Sequence, residues 1–126
     1  MNKPTILVIE DNELNMMLFR DLLKLEGYLV LEAYDAEKGV QIAREKRPSI
    51  ILMDIQLPGM DGLKATRLIK EDPALKKIPV VALTAYAMEK DRQEALAAGC
   101  IGFIAKPIDT RSFAAAVSNF LPALDK

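Results

Sequence analysis

Five side chains in this sequence could do chemistry together. Glu10 and Asp11, Asp54, Thr84 and Lys106 each follow or close an apolar run: TILVI, SIILM, IPVVAL and GFIA. Carboxylates brought within a few ångströms repel one another, and a divalent cation relieves that repulsion. Hard oxygen ligands suit Mg²⁺, with Mn²⁺ as the alternative, and Mg²⁺ is usually shared between one or two carboxylates and phosphate oxygens. An acidic cluster alone repels phosphate, but with a cation and Lys106 it can hold one. Asp54 is then the candidate nucleophile, since a carboxylate can accept a phosphoryl group. That transfer depends mainly on positioning and charge neutralisation. Thr84 could donate a hydrogen bond to one phosphoryl oxygen while Lys106 pairs with another. Singly, these are a turn acid, helix-terminus charges, a strand-end hydroxyl and a solvated lysine. Their shared position at four strand ends argues for a site.

The elements that must position them alternate along the chain. Thr5–Ile9 reads as a buried strand, and Asn12 as the N-cap of a helix through Leu14, Met17, Leu18, Leu22 and Leu25 that Gly27 closes. A second strand covers 28–33, and Asp35 caps a helix to about Lys46, before Pro48. The third strand, 49–53, ends at Asp54, and a loop with Pro58, Gly59 and Gly62 leads to a helix over 63–71. The fourth strand, 78–83, ends at Thr84 and is followed by a helix over 88–98 that stops at Gly99. The short fifth strand, 102–105, ends at Lys106-Pro107, and Asp109 caps a last helix from Thr110 to about Leu121. Near-continuous apolar strands alternating with helices predict an α/β, doubly wound, five-stranded parallel sheet; the flavodoxin-like (βα)5 form of that class, taken here, has order 2-1-3-4-5. In that order the first and third strands flank the crevice where the winding reverses, and ligands bind there.

Composition narrows the classes. A chain of 126 residues with 51% apolar content supports one domain and its own core. The 17 basic and 18 acidic residues leave a net charge of −1, which draws the chain to neither nucleic acid nor a membrane surface. No apolar stretch approaches the ~20 residues of a membrane span. The single cysteine, Cys100, reads as a small core residue, and a cytoplasmic location is expected. Histidine is absent. That removes Ser-His-Asp and Cys-His catalysis, most zinc sites and any role as a phosphohistidine donor.

The runs ILVIEDNELN, ILMDIQLPGMDG, VVALTA and GFIAKP, and the spacings between Asp11, Asp54, Thr84 and Lys106, resemble the receiver domain of two-component response regulators over essentially the whole chain. ELNMMLFRDLL and AYAMEKDRQEALAAGCIGFIAKPID look most like single-domain DivK-type regulators and the receivers of hybrid histidine kinases. The resemblance implies that Asp54 takes its phosphoryl group from the phosphohistidine of a sensor histidine kinase or a histidine phosphotransfer protein. It implies Asp11 as a direct Mg²⁺ ligand beside Asp54, Glu10 acting mainly through a metal-bound water, and Gln56 offering its backbone carbonyl. Thr84 and Lys106 would contact the phosphoryl group, and Lys106-Pro107 is a candidate cis peptide. Thr84 and Phe103 would form the switch, with Phe103 as ordinary core the alternative. The reporting face would include Ala87, Glu89, Lys90 and Phe103, read by a downstream protein target. Gln56 and Tyr86 lie where relatives tune the lifetime of the acyl phosphate. The acid pair departs from the usual Asp-Asp, and the switch aromatic lacks a hydroxyl.

The expectation is therefore a phosphoacceptor regulator rather than an enzyme, beyond promoting its own phosphorylation and dephosphorylation. It is a single receiver domain over 1–126 without an output domain, monomeric or weakly dimeric. A receiver cut from a hybrid kinase and a phosphorylation-independent scaffold are the alternatives. An aspartyl-nucleophile phosphatase would need a second acid where Gln56 stands. A flavodoxin would need a hydroxyl-rich first loop in place of EDNELN, and a dinucleotide-binding fold G-x-G-x-x-G.

Overall fold

The apolar runs form the strands of one sheet. The computed structural model describes residues 3–57, 59–85 and 89–121. Along the chain lie β1 (Thr5–Ile9), α1 (Glu13–Leu25), β2 (Leu29–Ala33), α2 (Ala36–Lys46), β3 (Ile50–Asp54), α3 (Gly62–Glu71), β4 (Val80–Thr84), α4 (Glu89–Ala98), β5 (Gly102–Ala105) and α5 (Phe113–Phe120). All pairings are parallel, in the order β2-β1-β3-β4-β5. Pro58, Tyr86 and Ala87, named above for the acceptor loop, the phosphate lifetime and the reporting face, lie outside the described residues.

Successive side chains of a strand point to opposite faces, so each inner strand feeds two cores. Leu7, Ile9, Ile51, Met53, Val80 and Ala82 face α2, α3 and α4, where Val40, Ala43, Ala65, Ile69 and Ala95 meet them. Ile6, Val8, Ile50, Leu52, Val81 and Leu83 face α1 and α5, against Met16, Phe19, Leu23, Phe113 and Val117. Phe19 and Phe113 stack with centroids 5.2 Å apart, joining α1 to α5. Burial on both faces explains why the central strands read as unbroken apolar runs. Cys100 is buried in the first of these cores, and burial pushes its thiol up, as suits a packing residue rather than a nucleophile.

Side chains set the helix starts. Asn12, Asp35 and Asp61 accept the backbone N–H of Asn15, Lys38 and Lys64 at 2.9, 2.7 and 2.8 Å. The Asp61 cap starts α3 at Gly62, one residue earlier than expected. The last helix is corrected by more: it begins at Phe113, not Thr110. Asp109 still opens the turn leading into it: its carboxylate takes the N–H of Arg111 (3.0 Å) and its carbonyl those of Ser112 (3.1 Å) and Phe113 (2.9 Å). The Ser112 bond is of the tighter i to i+3 kind, so regular α-helix is reached only at Phe113. β4 starts at Val80 because Pro79 has no N–H for the ladder, and the carbonyl of Ile78 is taken by Lys70 Nζ at 2.6 Å. Among the described residues, no helix is long and apolar enough to cross a membrane.

The register levels the strand ends. Ile9 lies opposite Met53, so Glu10 stands level with Asp54. Asp54 lies opposite Leu83, and Leu83 opposite Ile104, so Thr84 follows one step beyond that level and Lys106 two. α3 packs so closely here that a β-carbon on Gly62 would collide with the Asp54 carbonyl and lie 2.6 Å from Ile55 Cα. Both obstacles are backbone and cannot rotate aside. Gly62→Ala should therefore cost about 1–3 kcal/mol of stability, read as a lower urea midpoint at unchanged slope.

Candidate functional site

Three carboxylates and one ammonium meet at the C-terminal edge of the sheet. Glu10, Asp11 and Asp54 offer oxygen atoms within 4.8 Å of one another. Glu10 and Asp54 are only 1% and 2% exposed, whereas Asp11 is open to solvent. Lys106 Nζ bridges the two buried acids, donating to Glu10 Oε1 at 3.0 Å and to Asp54 Oδ2 at 3.3 Å. The remaining carboxylate oxygens are also engaged: Glu10 Oε2 accepts the N–H of Asn12 at 3.1 Å, and Asp54 Oδ1 that of Gln56 at 2.9 Å. Among the described residues, no buried side-chain nitrogen or oxygen lacks a partner.

Sheet bonds continuing past the strand ends hold this constellation. Glu10 N–H donates to Ala33 O (3.0 Å), Ile55 N–H to Leu83 O (3.2 Å) and Lys106 N–H to Thr84 O (2.7 Å). Thr84 is buried beside them at the end of β4. The Lys106-Pro107 peptide bond is cis. Gln56 enters through its backbone, and its side chain stays exposed. Phe103 lies apart from the acids, half-buried on β5 against the α2–α4 core, with the Arg92 guanidinium carbon 4.2 Å from its ring centroid. Arg92 was not singled out from the sequence; an arginine in a charged stretch of helix carries no signal of which ring it will cover. The direct Lys106–Glu10 pair was missed for a similar reason: the two residues are 96 positions apart.

Burial dominates the electrostatics. It raises the Glu10 carboxyl above its ordinary 4.5, against the donors from Lys106 and Asn12 and with some help from the Asp54 charge. Burial also works against the Lys106 ammonium, yet the Glu10 hydrogen bond and the two carboxylate charges outweigh it and hold Lys106 above its ordinary 10.5. Apart from burial, the site holds more carboxylates than one ammonium can serve. Ionised, three carboxylates against Lys106 leave two charges uncompensated, the charge of one divalent cation. All the ligand atoms are hard oxygens, so the donor set fits Mg²⁺.

Comparison with known proteins places this geometry. Residues 6–118 match the family model described as the response regulator receiver domain. The chain is 43% identical over 117 residues to the polar-differentiation response regulator DivK of Brucella anthropi, covering 93% of this chain and 95% of that one. Among solved structures it resembles the receiver domain of a sensor histidine kinase from Pseudomonas aeruginosa PAO1, described with a magnesium ion coordinated in the active-site cleft. There the identity is 34%, the TM-score 0.86, and the coverage 94% of this chain and 98% of that one. The chemotaxis protein CheY4 of Vibrio cholerae, 22% identical with TM-score 0.91, shares the fold, over 95% of this chain and all of that one.

A carboxyl raised by burial favours the folded state only below its unfolded value, and that contribution disappears as pH rises through the folded value. At neutral pH without divalent metal, Glu10 is therefore a cost. Glu10→Gln should stabilise the metal-free protein at pH 7, with the gain vanishing below the ordinary carboxyl value of 4.5. Urea titrations in chelator at both pH values measure it.

Proposed function

The chain belongs to the response regulator receiver family, and on that premise we propose that Asp54 accepts a phosphoryl group from a phosphohistidine of a sensor histidine kinase or a histidine phosphotransfer protein. The observation that carries the reading is the Asp54 carboxylate itself. It is buried among apolar strands, held by Gln56 N–H on one oxygen and by Lys106 on the other. In the reaction an Asp54 oxygen bonds to phosphorus as the phosphorus–nitrogen bond of the donor breaks, and the imidazole leaves and takes up a proton.

Asp11 and Asp54, with the Gln56 backbone carbonyl, would hold Mg²⁺, and Glu10 would act on it mainly through a water. The magnesium ion in the active-site cleft of the Pseudomonas relative supports this assignment. Bound there, the ion would supply charge neutralisation of the phosphoryl oxygens. Lys106 has a role of its own: its ammonium already lies on Asp54 Oδ2 and need only shift to meet a phosphoryl oxygen. Thr84, at the end of the neighbouring strand, donates its hydroxyl to another. Hydrolysis of the acyl phosphate would reset the domain.

The signal leaves by a population shift. Thr84 moves toward the phosphate, and Phe103 turns into the space behind it. The surface of α4, β5 and α5, including Glu89 and Lys90, then presents a changed shape to a downstream protein in the cytoplasm. Moving a 1:99 equilibrium to 99:1 takes roughly 5.5 kcal/mol, within reach of a few charge-assisted hydrogen bonds in a buried site. Phe103 must also leave Arg92, a contact of about 0.5–2 kcal/mol.

Intact mass after incubation with acetyl phosphate and Mg²⁺ should show one added phosphoryl group, absent in Asp54→Asn. If neither this donor nor a phosphorylated phosphotransfer partner adds mass, the domain is a scaffold instead. Thr84→Ala should still gain the mass, but phosphorylation should no longer change its affinity for a downstream partner. Intact coupling in that variant would refute the switch.

A further inference from the structure

The opposite corner of the sheet carries a second feature, remote from Asp54. A groove of about 600 Å³, open to solvent, runs along the start of β2 and is lined by Thr5, Tyr28, Leu29, Val30 and Leu31 with Lys3, Lys24 and Lys46. Among the described residues, no carboxylate lines it. Lys3 reaches over Gly27, its Nζ 3.9 Å from where a β-carbon there would stand. Lys24 and Lys46 occupy the last turns of α1 and α2. Two helix C-termini contribute about −0.5 each, so the lysine charges exceed them and the groove stays cationic.

β2 is an edge strand. Leu29 N–H donates inward to Pro4 O at 3.1 Å, so alternation turns the N–H and C=O of Val30 outward, into the groove and beyond the reach of the ladder. Beside them Leu29 is 55% exposed, an apolar surface on the same edge. A backbone edge, an apolar floor and a cationic rim together match one kind of occupant. A small molecule would normally be largely enclosed, which an open groove does not do. A second copy's β2 edge would bring its own three lysines against these and be repelled.

We propose that the β2 edge groove, framed by Lys3, Lys24 and Lys46, docks an extended acidic segment of a partner protein, which adds to the sheet as a further strand. Main-chain bonds to Val30 supply affinity, and the lysines select acidic side chains. The groove lies at the N-terminal ends of the strands and Asp54 at a C-terminal end, so docking is independent of phosphate acceptance and can tether a partner in either phosphorylation state.

The test is fluorescence anisotropy of a short labelled peptide alternating glutamate with valine, titrated with the full chain at low and moderate salt. Saturable binding that weakens with salt is expected, equal for wild type and Asp54→Asn. The triple variant Lys3→Glu, Lys24→Glu, Lys46→Glu should bind about ten-fold or more weaker, with circular dichroism confirming its fold. If the triple variant does not fold, the three single replacements carry the same test. Methylating alternate peptide amides should weaken binding comparably. Absence of saturable binding at low salt, unchanged binding by the lysine variants, indifference to amide methylation, or loss of binding in Asp54→Asn would each overturn the proposal.

Discussion

Two carboxylates are buried within reach of one ammonium, and much of the molecule is arranged around that fact. An ionised carboxylate withdrawn from water costs several kcal/mol unless its oxygens are served. Here Glu10 and Asp54 share Lys106, and each takes one backbone N–H as well. The bridge draws together the ends of β1, β3 and β5, segments far apart in the chain. It is incomplete by design of charge: Glu10 remains raised by burial, and Asp11 adds a further anion at the mouth. A site left electron-rich in this way is suited to a divalent cation and, through it, to phosphate. A neutralised core would be more stable but would have nothing to bind.

That arrangement holds only if the strand ends stay level, and the register is kept by packing. A slip of one residue would turn every inner side chain to the wrong face, exchanging the α2–α4 core for the α1–α5 core. Strands buried on both faces cannot tolerate that. The tight approach of α3 at Gly62 adds a local constraint just behind Asp54. The rigid sheet thus serves as a ruler for the acids.

The two ends of the sheet differ in charge. Acids collect at the C-terminal edge, while lysines collect around the open start of β2. At the other edge of the sheet the α4–β5 face carries Phe103 under Arg92. On the proposed readings, one small domain would receive a phosphate, report it on one face and hold a partner at another corner.

Apolar runs alone identified the strands, their parallel sheet and the acidic ends, because burial on both sides leaves an unmistakable apolar run and strands in a parallel sheet end at a common edge; the strand order came from the fold class. The helix caps at Asn12 and Asp35 were legible for the same local reason: a side-chain oxygen within three residues of an N–H needs no tertiary partner. Asp109 was legible as a cap for the same reason, but the regular helix begins only at Phe113, after a tighter turn that local pattern does not mark. Only the tertiary structure decided that Lys106 would lie between Glu10 and Asp54, that Arg92 would cover Phe103, and that Lys3, Lys24 and Lys46 would share a groove. Each of those is a meeting of distant residues, set by how helices pack on the sheet. Local pattern records which face a residue takes, but not which remote side chain will be waiting there.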